Sequence, residues 1–381
     1  MRIAPRAGFP IALAWFSLIC GAFAAPPPAF AVALAAVALL AWTGLGRARA
    51  ERKDHAALRA AAQAFLDALS APHKALAQLP FEDPGRLDWH FIPRERKGLP
   101  LGAMDDAEKT AAQALLHAGL SAQGYLKANG VMTLETILQD GVRASGGDVS
   151  FRDPGRYFFT LFGDPRGEAP FLVRVEGHHL ALNFTSVPEA GTSPTPLFFG
   201  ANPACVRSGP RAGFRLLAVE EDAARALARS LGAAQKSKAW LAEAAPPEVL
   251  FGPGKAADPS AFPGIAYGEL DEAQQKMLLR LVGEFMGGLE PELARNEQLR
   301  LAKAGVAEIH FAWAGGLEPG QGHYWRASGP TFVLEFDDTQ DGANHAHALW
   351  RDPQNEFAAQ WLAAHKKEEA ESKGAAIPPG K

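Results

Sequence analysis

Two stretches near the N-terminus constrain this chain more than anything after them: residues 8–25 and 29–46 contain no charged side chain. Each is about 18 residues, roughly 27 Å as a helix, which is just enough to cross the apolar core of a bilayer. Pro26, Pro27 and Pro28 separate the runs and would end the first helix. The pattern predicts a membrane anchor over residues 1–53, built of two transmembrane helices at 8–25 and 29–46. Arg2 and Arg6 precede the first run, Arg47, Arg49, Arg52 and Lys53 follow the second, and the turn between them holds no cation. That distribution favours both ends, and the domain, on the cytoplasmic side over an external domain. The alternative is a secretory signal peptide cut at Ala22-Phe23-Ala24, which would leave the second apolar run beside the cut.

The remainder is an ordinary globular mixture, with 48% hydrophobic and 21% charged residues over the 381-residue chain. A formal net charge of −4 provides no basic footprint for nucleic acid. Cys20 and Cys205 are the only cysteines, so neither a disulfide scaffold nor a Cys-x-x-Cys zinc or redox motif exists. No Gly-x-Ser-x-Gly elbow, Walker A loop, His-Glu-x-x-His or Rossmann fingerprint appears, which argues against a nucleotide cofactor.

From residue 54 to 365 neither a repeat nor a linker interrupts the chain, and the expectation is one large α+β domain with antiparallel or mixed sheets. Its first third reads helical. His55 to Leu79 has a helical period, Asp105-x-x-Glu108 has the form of a capping box, and Ser121 can cap the next helix. Strands are expected at Tyr157–Phe162, Phe171–Glu176 and His178–Thr185, followed by a long Pro- and Gly-rich loop, Ser186–Gly213. Helices follow at Val219–Leu231, continuing to Ala245, and at Asp271–Met286. A second strand group is expected at Glu308–Ala314, His323–Ser328, Thr331–Asp337 and His345–Trp350. Residues 366–381 read as a disordered tail.

Several polar and aromatic blocks recur in an order that resembles a known family. They are Trp89-His90-Phe91-Ile92-Pro93-Arg94, Tyr157 through Pro165, Glu176-Gly177-His178-His179-Leu180 and Phe199-Gly200-Ala201-Asn202-Pro203-Ala204. His310 through Gly315, His323-Tyr324, and Asn344-His345-Ala346-His347 through Asp352 complete the series. Together they are similar to the DUF3500 family, whose function is unknown, over roughly Phe81 to His365. The resemblance implies an enzyme-like set of polar blocks and no specific activity. Two places depart from the family pattern: Glu356-Phe357-Ala358 stands where Asp-Phe-Gly is usual, and Phe171 where Trp is typical.

The chemistry-bearing residues sort by strand period. Residues two apart in a strand share a face, so His345 and His347 can point together and hold one zinc, copper, iron or manganese ion. His178 shares its face with Leu180 and Leu182 and reads as core, whereas His179 and Asn183 lie opposite, which makes His179 the third metal candidate. Phe332, Leu334 and Phe336 form one apolar face, leaving Glu335 and Asp337 on the other as candidate general bases or ligands. His323, Tyr324, Arg351, Trp89 and Arg94 are candidate substrate contacts, the last two on a pinned loop, Trp89–Leu101, expected to cover the cleft. The competing reading of the same histidines is structural, since strand histidines often make buried hydrogen bonds. Two functions therefore stand: a membrane-tethered, metal-dependent enzyme, a hydrolase ahead of an oxidase, or a non-catalytic module that binds a small molecule or partner.

Overall fold

Hydrophobic alternation along the strands produces one large sheet, seen in a computed structural model that describes residues 56–375 apart from 151, 261 and 262. Two helices open the domain: α1 at residues 56–68, and α2 at Ala71–Ala77 with a proline in its first turn. That proline, Pro72, splits the expected single helix, since its ring is tolerated only at a helix start. Strands β1 (Gln78–Leu79) and β2 (Leu99–Pro100) precede α3 (Asp106–Gly119) and α4 (Ala122–Ala144). Both expected caps are present. Asp105 Oδ1 accepts from Glu108 N at 2.9 Å while Glu108 Oε2 accepts from Asp105 N at 3.0 Å, and Ser121 Oγ accepts from Gly124 N.

Strands β3 (Phe158–Phe162), β4 (Phe171–Gly177), β5 (Leu180–Val187), β6 (Gly191–Ser193) and β7 (Leu197–Ala201) come next. The stretch expected as a long loop thus contains two strands, and β7 lies at the centre of the sheet. Helices α5 (Ala218–Ser230) and α6 (Ala233–Ala239) are separate, broken at Leu231-Gly232, and the chain then extends into β8 (Trp240–Ala242) rather than continuing as helix. After β9 (Ile265–Ala266) come α7 (Glu272–Met286) and α8 (Pro291–Ala304), then β10 (His310–Gly315), β11 (His323–Gly329), β12 (Phe332–Asp338) and β13 (Ala346–Arg351). The last helix, α9, runs over Ala359–Ala375, so the segment expected to be disordered from residue 366 continues as helix to Ala375.

The sheet follows the order β1-β3-β4-β5-β7-β13-β12-β11-β10-β8, with β2, β6 and β9 pairing at its margins. Pairing is antiparallel except where β1 joins β3 and β8 joins β10 at the two ends. Two apolar faces result from the period of two. Val173, Leu182, Phe199, Leu334, Phe336 and Trp350 belong to the main core with the helices. On the opposite face, Leu172, Ala181, Phe198 and Leu349 pack with Trp89, Phe91, Val249 and Phe357 from covering loops. The functional candidates His347, Glu335 and Asp337 alternate with main-core residues and so share this second, loop-covered side.

These elements form a compact unit within residues 48–381. Among the described residues no helix is long and apolar enough to cross a membrane, and the expected spans at 8–25 and 29–46 lie outside the described residues.

Candidate metal centre

Three histidines from two separate parts of the chain meet where β7 joins β13. His347 sits in β13, opposite Asp337 of β12 on one side and Gly200 of β7 on the other. His345 lies just before β13, its position held by a backbone hydrogen bond from its N to Asp338 Oδ1 at 2.8 Å. His179 arrives from a different direction. Gly177 and Leu180 pair across the β4–β5 hairpin, so His178 and His179 form a two-residue turn instead of continuing a strand. His179 has φ of 61°, a left-handed backbone that a non-glycine residue adopts at a cost and that clusters at functional sites. Hydrogen bonds clamp it there: its N donates to Phe91 O at 2.8 Å, and Gly200 N donates to its carbonyl at 2.7 Å.

The three rings converge through Nε2. His345 Nε2 is 2.8 Å from His179 Nε2 and 3.1 Å from His347 Nε2. Tetrahedral zinc with Zn–N near 2.05 Å would space its nitrogen ligands about 3.3 Å apart, close to this arrangement. Each outer nitrogen of the β13 pair meets a carboxylate. His347 Nδ1 lies 3.1 Å from Asp337 Oδ1 and 2.9 Å from Glu248 Oε1, and His345 Nδ1 lies 3.2 Å from Asp341 Oδ2. A carboxylate accepts only, so the Nδ1 atoms carry the protons and the Nε2 lone pairs turn towards one another. This is the support that metal-ligating histidines receive, with the partner fixing tautomer and ring orientation.

Facing lone pairs at 3.1 Å repel unless a proton or a metal cation lies among them. Burial works against charging the His347 ring, but hydrogen bonds and the charges of Asp337 and Glu248 outweigh it and raise its pKa to about 9. Burial, then the neighbouring His347 charge, lower His345 to about 4 despite Asp341, and burial holds His179 well below the usual histidine range. Asp337 is pushed up to about 6 by burial, against the pull of His347. The apo cluster thus keeps one proton, on His347, and two neutral imidazoles.

Packing buries His179 and His347 and leaves the His345 end partly exposed. His347 is covered by Phe91 and Phe198, with ring centroids 5.3 and 5.4 Å away. His345 remains 14% exposed beside Asp341 at 61%, and Glu248 is 38% exposed. From the loop expected to cover the cleft, Phe91 is the residue that lies against His347. Gly200 has no room for a side chain, because an added Cβ would lie 2.8–2.9 Å from three atoms of His179. Gly200→Ala is expected to displace the His179 ring and weaken metal binding by about tenfold or more, as loss of a supporting contact does. Metal titration with circular dichroism as the fold check reads this out, and unchanged affinity would refute it.

The other sequence candidates have different places. Glu335 is fully buried, and its carboxylate accepts from Leu250 N at 2.7 Å, Phe251 N at 2.9 Å and Tyr324 Oη at 2.7 Å. It anchors the loop over the sheet, two residues along β12 from the cluster, and Tyr324 is its partner rather than a substrate contact. Burial raises Glu335 to about 7. His323 is stacked on Trp313 at 5.2 Å, with Nδ1 3.0 Å from Gln321 O, and is fully buried. Arg351 pairs bidentately with Glu356 at 2.6 and 2.5 Å and donates to the Phe251 and Lys255 carbonyls. The glutamate at the departure from the family pattern therefore has a structural partner. Trp89 is buried against Phe91 and Phe198, while Arg94 bonds Asp88. Asn183 is buried between Arg174 and the Pro196 carbonyl, away from the cluster.

Sequence reasoning missed Glu248, Asp341, Asn202 and Glu135. Asn202 Nδ2 lies 3.2 Å from Asp341 Oδ2 and 3.1 Å from His345 Nδ1. Glu135 Oε2 lies 2.5 Å from His178 Nδ1, and the His178 ring stacks on His179 with centroids 3.7 Å apart. Among the described residues three overlapping groups of side chains have the spacing to hold a metal ion: His179, His345 and His347; Glu135, His178 and His179; and Glu248, Asp337 and His347.

A family model described as a protein of unknown function, DUF3500, matches residues 51–359. No curated protein and no solved structure matches the chain.

Proposed function

The chain belongs to the DUF3500 family, whose function is unknown, and we propose that it is a metal-dependent hydrolase whose divalent ion is held by His179, His345 and His347. One observation carries this reading: three Nε2 atoms converge while carboxylates occupy the outer nitrogens of His345 and His347. Three imidazoles leave a fourth tetrahedral position for water, as catalytic zinc sites do. A zinc ion there would lower the pKa of bound water to near 7 and supply a nucleophile. Glu248, partly exposed, meets His347 Nδ1 on the side away from the converging Nε2 atoms and would support that ring as a ligand, while Glu335 is spent on the covering loop. Asp337 orients His347. Copper or iron in the same ligands would support oxidase chemistry instead, and metal content separates the two.

The test begins with purified full-length protein and elemental analysis, followed by hydrolysis of ester, amide and phosphoester panels with and without chelator. Bound zinc and a chelator-sensitive hydrolysis are expected. Absence of any metal under zinc supplementation would sink the reading in favour of a ligand-binding module.

The apolar runs at 8–25 and 29–46 would tether the domain to a membrane, with the cytoplasmic face favoured by the flanking arginines. Full-length protein should then stay in the membrane pellet after a carbonate wash, and removal of residues 1–53 should release it. Full extraction by carbonate would overturn the tether.

A further inference from the structure

We infer that the centre takes two divalent cations, the second held by Glu135 and His178 and sharing His179 with the first; this rests on the metal reading above. Glu135 projects from the middle of α4 and is 2% exposed. Its Oε2 engages His178 Nδ1, but its Oε1 is buried with no hydrogen-bond partner. A buried carboxylate oxygen left without a partner keeps the full cost of its lost hydration, more so when charged, so the site calls for a donor or a cation. Glu135 and His178 line a small hollow that also meets Asp153 and Tyr157. One ligand atom each from Glu135, His178 and His179 lies within 4.8 Å of the others. Nε2 of His179 is committed to the His345 side, so the second ion would take its Nδ1 and displace to solvent the proton that this nitrogen carries in the neutral ring.

The third group is unlike this one. Glu248 and Asp337 already share the proton of His347 Nδ1 and leave no orphaned oxygen. At Glu135 the resident positive charge is Arg152, whose Nη1 lies 2.9 and 3.0 Å from the two His178 nitrogens but 3.9 Å from Glu135 Oε1. One guanidinium nitrogen cannot bond well to both ring nitrogens, and at 3.9 Å it does not satisfy the carboxylate. Its side chain is 27% exposed and can withdraw to solvent when a metal takes its place. Arg94, Arg96 and Arg156 also border the hollow, but Arg94 pairs with Asp88, Arg156 with Glu95, and Arg96 with backbone carbonyls.

Equilibrium dialysis of the full-length protein against zinc, read by elemental analysis, tests this. Two ions per chain are expected for the wild type and one for Glu135→Gln. Arg152→Ala should keep two and bind the second at least tenfold more tightly, because a competing cation is gone. Circular dichroism checks that Glu135→Gln folds, and the partly exposed Arg152 variant reports even if it does not. One ion in the wild type, an unchanged count in folded Glu135→Gln, or no tightening in Arg152→Ala overturns the second ion while leaving the first. No ion in the wild type removes both.

Discussion

His345→Ala should lower zinc affinity by roughly a hundredfold or more, since even removing an outer partner of a ligand typically costs 10–100-fold. Fold stability should change by only about 1 kcal/mol or less. The asymmetry follows from where the ring sits. His345 precedes β13, is partly exposed, and contributes Nε2 to two contacts that exist only because three lone pairs converge. Its removal leaves Asp341 solvated and still bonded to Asn202, so no buried carboxylate is orphaned. His347 is a harsher site to alter. Its loss would strand Asp337, which is fully buried, and would mix a folding cost with a metal cost. Zinc retained per chain after dialysis, beside a thermal melt, measures both quantities for His345→Ala. Wild-type zinc retention would exclude His345 as a ligand, and collapse of the fold would show that the cluster is structural.

Period-two alternation made much of this site legible. It placed His345 with His347 and separated Asp337 from Phe332, Leu334 and Phe336, and those faces are the ones observed. It reached His179 by an incorrect route. A strand through His178 would have turned the two rings to opposite faces; the chain instead reverses there, with His179 in a left-handed backbone. No sequence signal marks a tight turn built from two histidines without Gly, Asn or Asp.

The missing partners share one cause: each comes from a segment whose own sequence says nothing about where it docks. Glu248 follows Pro246-Pro247 in a loop, and Glu135 is one of several polar residues on a long helix. Strand β7 hides between Pro196 and Pro203, which read as loop punctuation, although its Gly200 is the residue that admits the His179 ring. Glu335 shows the converse. Its face was correct, but the loop bringing Leu250 N and Phe251 N onto its carboxylate is a tertiary event that alternation cannot register.

Zinc affinity should rise at least about tenfold per pH unit between pH 6 and 8, at least about a hundredfold overall, because a bound metal must displace the proton that the apo cluster keeps. His347 is the group that holds it, with a pKa raised to about 9 by Asp337 and Glu248 against the effect of burial. His345, at about 4, and His179, held well below the usual histidine range by burial, are already neutral over this range and release nothing. The sign has a counterpart in stability. A histidine whose folded pKa is raised stabilises the apo fold fully below its unfolded value near 6.5, and that contribution is lost as pH climbs through about 9. Apo protein should therefore melt at lower temperature as pH rises from 7 to 9, while zinc-loaded protein gains over the apo form across the same range. Calorimetric titration in buffers of different ionisation enthalpy counts the protons directly, and one per first zinc is expected at pH 6, below the range where a zinc-bound water with a pKa near 7 would add its own. Zinc binding that releases no proton and does not change with pH would mean that the metal ligands are not this carboxylate-supported trio.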